Sequence, residues 1–271
     1  MRGNLRRGEA TFFTIIARLS CGHMATPLPV DVVLRPADLT ESQVLDRTVV
    51  VFDVLRATTT MAAALAAGVR EIRIFPDKTA AMNAAKNFDQ PKLLCGEENC
   101  LPPPGFDLGN SPRAFAQAHA GQTLFMSTTN GCKAILAAQN AARLCIGALV
   151  NASAACRIAI KARLPITLLC AGTNGQLAME DLLGAGAVLD EMDRQSGFAA
   201  ESDRVAIALN LFRGSRSNLS RVLRESIGGK NVIAAGLEPD IDFAARLDSL
   251  DVAGICHGDP PTVRIASAMP K

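Results

Sequence analysis

The stretch Val49-Val50-Val51-Phe52-Asp53-Val54-Leu55-Arg56-Ala57-Thr58-Thr59-Thr60 decides how the chain is read. Four apolar residues without alternation describe a strand buried on both faces, the kind that parallel sheets contain. The run stops at Asp53, an expensive place for a charge unless it is paired or bound to a cation. Three threonines then open an Ala-rich helical stretch, as N-capping residues do. The same succession of strand, short polar turn and Ala/Leu-rich helix returns at Leu124-Phe125-Met126-Ser127-Thr128-Thr129-Asn130-Gly131 and at Leu168-Leu169-Cys170-Ala171-Gly172-Thr173-Asn174-Gly175. Capping alone explains one such turn. Three of them in a parallel sheet place helix N–H groups at one carboxyl edge, where positive dipole ends and short hydroxyl side chains leave room for an anion.

Outward from these turns, apolar β-branched runs at 30–34, 48–52, 71–75, 92–95, 124–126, 144–150, 166–171 and 262–265 alternate with predicted helices near 59–67, 78–88, 112–118, 131–140, 152–163 and 176–194. The alternation predicts an α/β fold, a mostly parallel sheet covered by helices on both faces. Residues 202–249 turn helical, which predicts a helical C-terminal layer before the chain returns to the sheet. No Pro/Ser linker or low-complexity block intervenes, so 24–271 are expected to form a single α/β domain behind a poorly ordered leader, 1–23.

Composition narrows the function. The chain has 271 residues, 49% hydrophobic and 20% charged, which is ample for a large core and excludes a disordered tail. Four arginines against Glu9 put +3 on the first 24 residues and leave −1 on the rest. With no Trp, no Tyr and 4% aromatics, that body lacks the basic stripe and stacking platforms of a nucleic-acid binder. The longest apolar stretch, 61–69, is half a membrane span, so no membrane partner is expected. The leader's apolar run is broken by Arg18 and followed by no cleavage site, so the expected location is cytoplasmic. Eight cysteines contain no CxxC pair, which argues against structural zinc and for a reducing compartment. The three histidines, His23, His119 and His257, are isolated. The sequence leaves a homo-oligomer open.

Carboxylates gather near the same edge. Asp53 ends one strand, Glu97 and Glu98 follow another, and Glu180 and Asp181 fall about one and a half turns into a helix opened by Gly175. Hard oxygens from three loops beside anion-friendly turns suit Mg²⁺ holding a phosphate. Other phosphate chemistries lack their motifs. No Cys is followed six residues later by Arg, Leu55 stands where an aspartyl phosphoenzyme carries its second Asp, and no GxxxxGK[ST] loop exists.

Asp53 to Thr60, then Gly96-Glu97 through Gly105-Phe106-Asp107-Leu108-Gly109-Asn110-Ser111-Pro112, Ser127 to Gly131, and Gly172-Thr173 through Glu180-Asp181 occur in an order that resembles the 2-phosphosulfolactate phosphatase family. Weaker matches are Ser226-Ile227-Gly228 and Gly236 to Ile241, and the resemblance runs from about Val30 to Ile265. It implies a Mg²⁺-dependent phosphomonoesterase on that family's α/β fold, which converts a small phosphorylated and sulfonated acid, 2-phospho-3-sulfolactate, to sulfolactate in coenzyme M biosynthesis. Under it Asp53, Glu97 and Asp181 are the expected Mg²⁺ ligands and, with Arg56, the catalytic set. Thr58, Asn110, Ser111, Thr128, Thr129, Asn130, Gly131, Gly172 and Thr173 are expected to bind substrate or its anionic groups. The nucleophile is either a metal-bound water or a carboxylate, Asp53 first. Cys132 stands where Thr is expected, Glu98 where Arg is common, Cys100 in place of Gly, and Val252-Ala253 in place of Val-Pro. Two rivals use the same cradle: a Mg²⁺-dependent lyase or isomerase of a phosphorylated acid, and a non-catalytic sensor of anionic metabolites.

Overall fold

Strand β2 (Thr48–Phe52) is buried at all five residues, because helices cover both of its faces. Val49 and Val51 pack with α1 (Ala57–Ala66) and α3 (Gly131–Ala137). Val50 and Phe52 pack with α4 (Ala152–Lys161) and α5 (Met179–Gln195). A helix buried this fully must be apolar all round, and α1, built from Ala, Thr, Met and Leu, leaves only Ala66 outside the core. These relations come from a computed structural model that describes residues 26–117 and 119–266. The expected leader, 1–23, lies outside the described residues.

The remaining strands are β1 (Pro29–Val33), β3 (Glu71–Ile74), β4 (Lys92–Gly96), β5 (Thr123–Ser127), β6 (Arg143–Gly147), β7 (Ile166–Cys170), β8 (Ala199–Ala200), β9 (Gly254–His257) and β10 (Thr262–Ile265). Helix α2 (Lys78–Lys86) follows β3 and is capped by the Asp77 side chain on the Ala80 N–H. The C-terminal helical layer contains α6 (Asp203–Ser215), α7 (Leu219–Glu225), α8 (Ile227–Ala234) and α9 (Pro239–Ala244). All eight predicted strands are present; the additions are β8, only two residues long, and β9, whose Gly-Ile-Cys-His carries little periodicity. The predicted helix at 112–118 is a 3-10 segment, Pro112–Ala116. No helix among the described residues is long and apolar enough to cross a membrane.

Among the described residues one sheet joins ten strands in the order β4-β5-β3-β10-β9-β6-β2-β7-β1-β8. The fold is α/β and mostly parallel, but the expectation of a single carboxyl edge needs correction. Strands β6, β2, β7, β1 and β8 are mutually parallel, as are β3, β5 and β4. Between the two blocks β9 runs antiparallel to β6, β10 antiparallel to β9, and β3 antiparallel to β10. The blocks therefore have opposite sense. Twist reconciles them: five steps separate β2 from β5, and roughly 20–25° per step turns one block by about 100–125° relative to the other. The carboxyl ends of β4 and β5 then meet those of β2 and β7 across α1 and α3. Contacts between residues that follow those strands show the meeting.

Candidate functional site

Asp53 is the centre of that meeting. One carboxylate oxygen, Oδ1, accepts from the Ala57 N–H of α1 at 3.0 Å, and the Gly131 N–H of α3 also bonds to the side chain. Burial, followed by the charges of Glu97 and Glu180, pushes its pKa up to about 7. Glu97, after β4, accepts the Thr129 N–H at 2.7 Å and the Cys100 N–H at 3.0 Å, which ties the turn after β4 to the turn after β5.

Helix α5 begins at Met179, later than the sequence predicts, so Glu180 and Asp181 occupy its first turn. The Val54 N–H donates to Asp181 Oδ1 at 2.8 Å and the Gly172 N–H to Oδ2 at 2.9 Å. Asp181 thus clamps the ends of β2 and β7 together. Burial, with Asp53 and Glu180 beside it, raises its pKa well above the usual range. Its neighbour Glu180 was left out of the expected ligand set. It is 1% exposed, its Oε1 lies against Gly228 at the start of α8, and its Oε2 is buried without a partner. The Ser226-Ile227-Gly228 match was the signal that could have placed it.

Arg56 is the N-cap of α1 and 3% exposed. Its Nη1 donates to Asp240 Oδ2 at 2.7 Å and its Nη2 to the Cys100 carbonyl at 2.6 Å. Its charge partner is thus Asp240 of α9.

A cleft of about 470 Å³ opens among these groups. Of the expected residues, Asp53, Arg56, Glu97, Asn110, Thr129, Asn130 and Thr173 line it, joined by Cys100, Leu101, Asn174 and the α8 residues Asn231 and Val232. The other expected anion-binding groups are engaged elsewhere. The Thr58 hydroxyl accepts the Asp53 N–H and donates to the Asp53 carbonyl, at 3.0 and 2.9 Å. Thr128 Oγ1 accepts the Cys132 N–H at 3.0 Å. Gly172 turns at φ +72°, Gly131 serves Asp53, and the Ser111 hydroxyl donates to Asp240 Oδ1 at 2.6 Å. Short polar residues after a strand must first satisfy their own turn; those that line the cleft are the remainder. Burial pushes the neighbouring Cys95 and Cys132 thiols up to about 12.

Hard oxygens of one sign, with an orphaned Glu180 Oε2 among them, have the chemistry of a divalent-cation site. Among the described residues no three Asp, Glu, His or Cys side chains form an all-protein cage. Mg²⁺ characteristically dispenses with one and takes one or two carboxylates, waters and substrate phosphate. The donor set fits that mode.

The raised Asp53 pKa has a consequence for stability. Unfolded, the group titrates near 3.8; folded, at about 7. The folded chain holds a proton that the unfolded chain has lost, so this stabilisation is full below the unfolded value and disappears as pH rises through 7. Asp31 and Glu71, whose values are lowered, act in the opposite sense, but below this window. Protein stripped with EDTA should therefore melt higher at pH 6 than at pH 8, and Asp53→Asn should reduce that difference, leaving the part that the raised Asp181 and Glu180 contribute. An Asp53→Asn profile identical in slope to the parent's would show that Asp53 titrates normally.

The sequence model of the 2-phosphosulpholactate phosphatase family matches residues 33–259. A protein of Carboxydothermus hydrogenoformans named "Probable 2-phosphosulfolactate phosphatase" is 36% identical over 230 residues, 85% of this chain and 94% of its own length. A protein of the same name from Deinococcus radiodurans is 39% identical over 202 residues, 73% of this chain and 83% of its own. One from Symbiobacterium thermophilum is 36% identical over 208 residues, 76% and 89% respectively. The matched span begins at the end of β1 and contains every residue that lines the cleft. On the strength of that span and these identities, the chain belongs to the 2-phosphosulpholactate phosphatase family.

Proposed function

We propose that this chain hydrolyses a phosphate monoester, and that its substrate is 2-phosphosulfolactate, the compound in its relatives' names. The observation that carries the reading is one cleft in which Asp53 and Glu97 lie alongside Arg56. Such a site attracts a cation through its carboxylates and an anion through its guanidinium. In this reading Asp53 and Glu97, which line the cleft, would hold Mg²⁺, with the unpartnered Glu180 Oε2 close to Asp53. When bound, the ion neutralises phosphate charge and polarises the P–O bonds.

The chain's own groups do the rest. Arg56 directs its unused N–H donors at phosphate oxygens, whose charge shifts as the ester bond breaks. The Ala57 and Gly131 N–H groups hold the Asp53 carboxylate in one plane, so it needs no reorganisation during the reaction. Asn130 and Thr173 offer neutral hydrogen bonds to the acid portion, and Leu55 and Val232 limit water around it.

The test is phosphate release from a panel of small phosphomonoesters that includes 2-phosphosulfolactate, with Mg²⁺ and with EDTA. The expected result is Mg²⁺-dependent release with sulfolactate recovered intact. A cleaved or rearranged carbon skeleton would establish the lyase or isomerase instead, and binding without turnover the sensor.

A further inference from the structure

We infer that Asp240 is a positioning residue for Arg56, so that α9, in the C-terminal helical layer, forms part of the phosphate-binding apparatus. The inference rests on the phosphatase reading. Asp240 is 184 residues from Arg56 in the chain and 1% exposed. Both its oxygens are engaged, Oδ2 by Arg56 Nη1 at 2.7 Å and Oδ1 by the Ser111 hydroxyl at 2.6 Å. Arg56 Nη2 reaches the Cys100 carbonyl at 2.6 Å. Cys100 and Ser111 bracket the Pro102-Pro103-Pro104 loop, whose Leu101 lines the cleft. The Arg56–Asp240 pair therefore pins both ends of the rim loop and the plane of the guanidinium at once.

A guanidinium carries five N–H donors in a rigid fork. Two bonds to fixed acceptors leave three donors whose directions are set by the first two. A buried ion pair is weak evidence for stability, since apolar residues of similar volume often serve as well. Its value here is orientation at the edge of a cleft. The carboxylate also offsets the charge of Arg56, so it contributes aim rather than added attraction for an anion. That combination has a kinetic signature: without Asp240, phosphate should bind no more weakly while the reaction slows.

The experiment is a double-mutant cycle on the full chain with Mg²⁺, reading kcat, KM and inhibition by inorganic phosphate. Asp240→Asn keeps the shape and one acceptor, and should lower kcat about tenfold with KM and the phosphate inhibition constant unchanged or lower. In an Arg56→Lys background, which retains a cation against Asp240, the same change should cost little further. Effects that multiply across the two backgrounds, or a rise in KM alone, would overturn the inference. So would an unaltered Asp240→Asn enzyme beside a crippled Arg56→Lys one, and the phosphatase reading would survive that result. Normal kinetics in Arg56→Lys would instead remove Arg56 from the phosphate site, and Asp240 with it. Ser111→Ala, which deletes the second bond to Asp240 without touching either charge, should give a weaker form of the same kcat loss.

Discussion

Asp53→Asn should reduce phosphate release by about three orders of magnitude or more, the equivalent of ~4 kcal/mol or more of lost transition-state stabilisation. Asn preserves the shape and an acceptor for the Ala57 N–H. It removes the charge that a hard cation needs and sets an amide against the Gly131 N–H. Stability should move the other way. The parent carboxylate is buried beside Glu97 and Glu180, whose charges oppose its ionisation, so neutralising it relieves repulsion at pH 8. The expected variant is inactive, unresponsive to Mg²⁺ in its melting temperature, and at least as stable as the metal-free parent. A variant that unfolds more easily and still responds to Mg²⁺ would reduce Asp53 to a structural role. Loss of function with retained stability is common where a site strains its own fold.

Gly131→Ala is the second large effect. A Cβ there would lie 2.6 Å from the Ala57 Cβ and 2.7 Å from Asp53 Oδ2. Neither neighbour can yield cheaply, because Ala57 begins α1 and Asp53 is held by two N–H groups. The added methyl must push the starts of α1 and α3 apart, with an overpacking cost of about 1–3 kcal/mol. Displacement of catalytic groups on the 1 Å scale costs about 100-fold in rate, so kcat/KM should fall by that amount alongside the melting temperature. Gly214→Ala is the control. It lies near the end of α6 with nothing within 4 Å of the added methyl, and should raise stability by up to ~1 kcal/mol with normal kinetics. Parental turnover in Gly131→Ala would detach the α1–α3 junction from the chemistry.

The legible part of the site was what local chemistry imposes. Asp53 and Glu97 were visible because each interrupts or follows an apolar strand, where an unpaired charge is costly. Thr58, Thr128 and Gly172 were read from the same turns but serve their own backbones, and a turn's sequence does not reveal whether its hydroxyl faces a neighbour or a cleft. Asp181 and Glu180 are adjacent in sequence and on the same helix. Their roles diverge because one reaches two strand ends and the other reaches α8.

By itself the sequence determined eight of the ten strands, most of the helices and the carboxylates near the site, since each follows from apolar periodicity and turn chemistry within a dozen residues. Only the tertiary structure decided that two parallel blocks oppose each other. That sense depends on β9 and β10, which pair with β6 and β3 from far along the chain. Only it decided, too, that Arg56 answers to Asp240. A charge takes whichever buried partner the completed packing delivers, and that partner arrived 184 residues later.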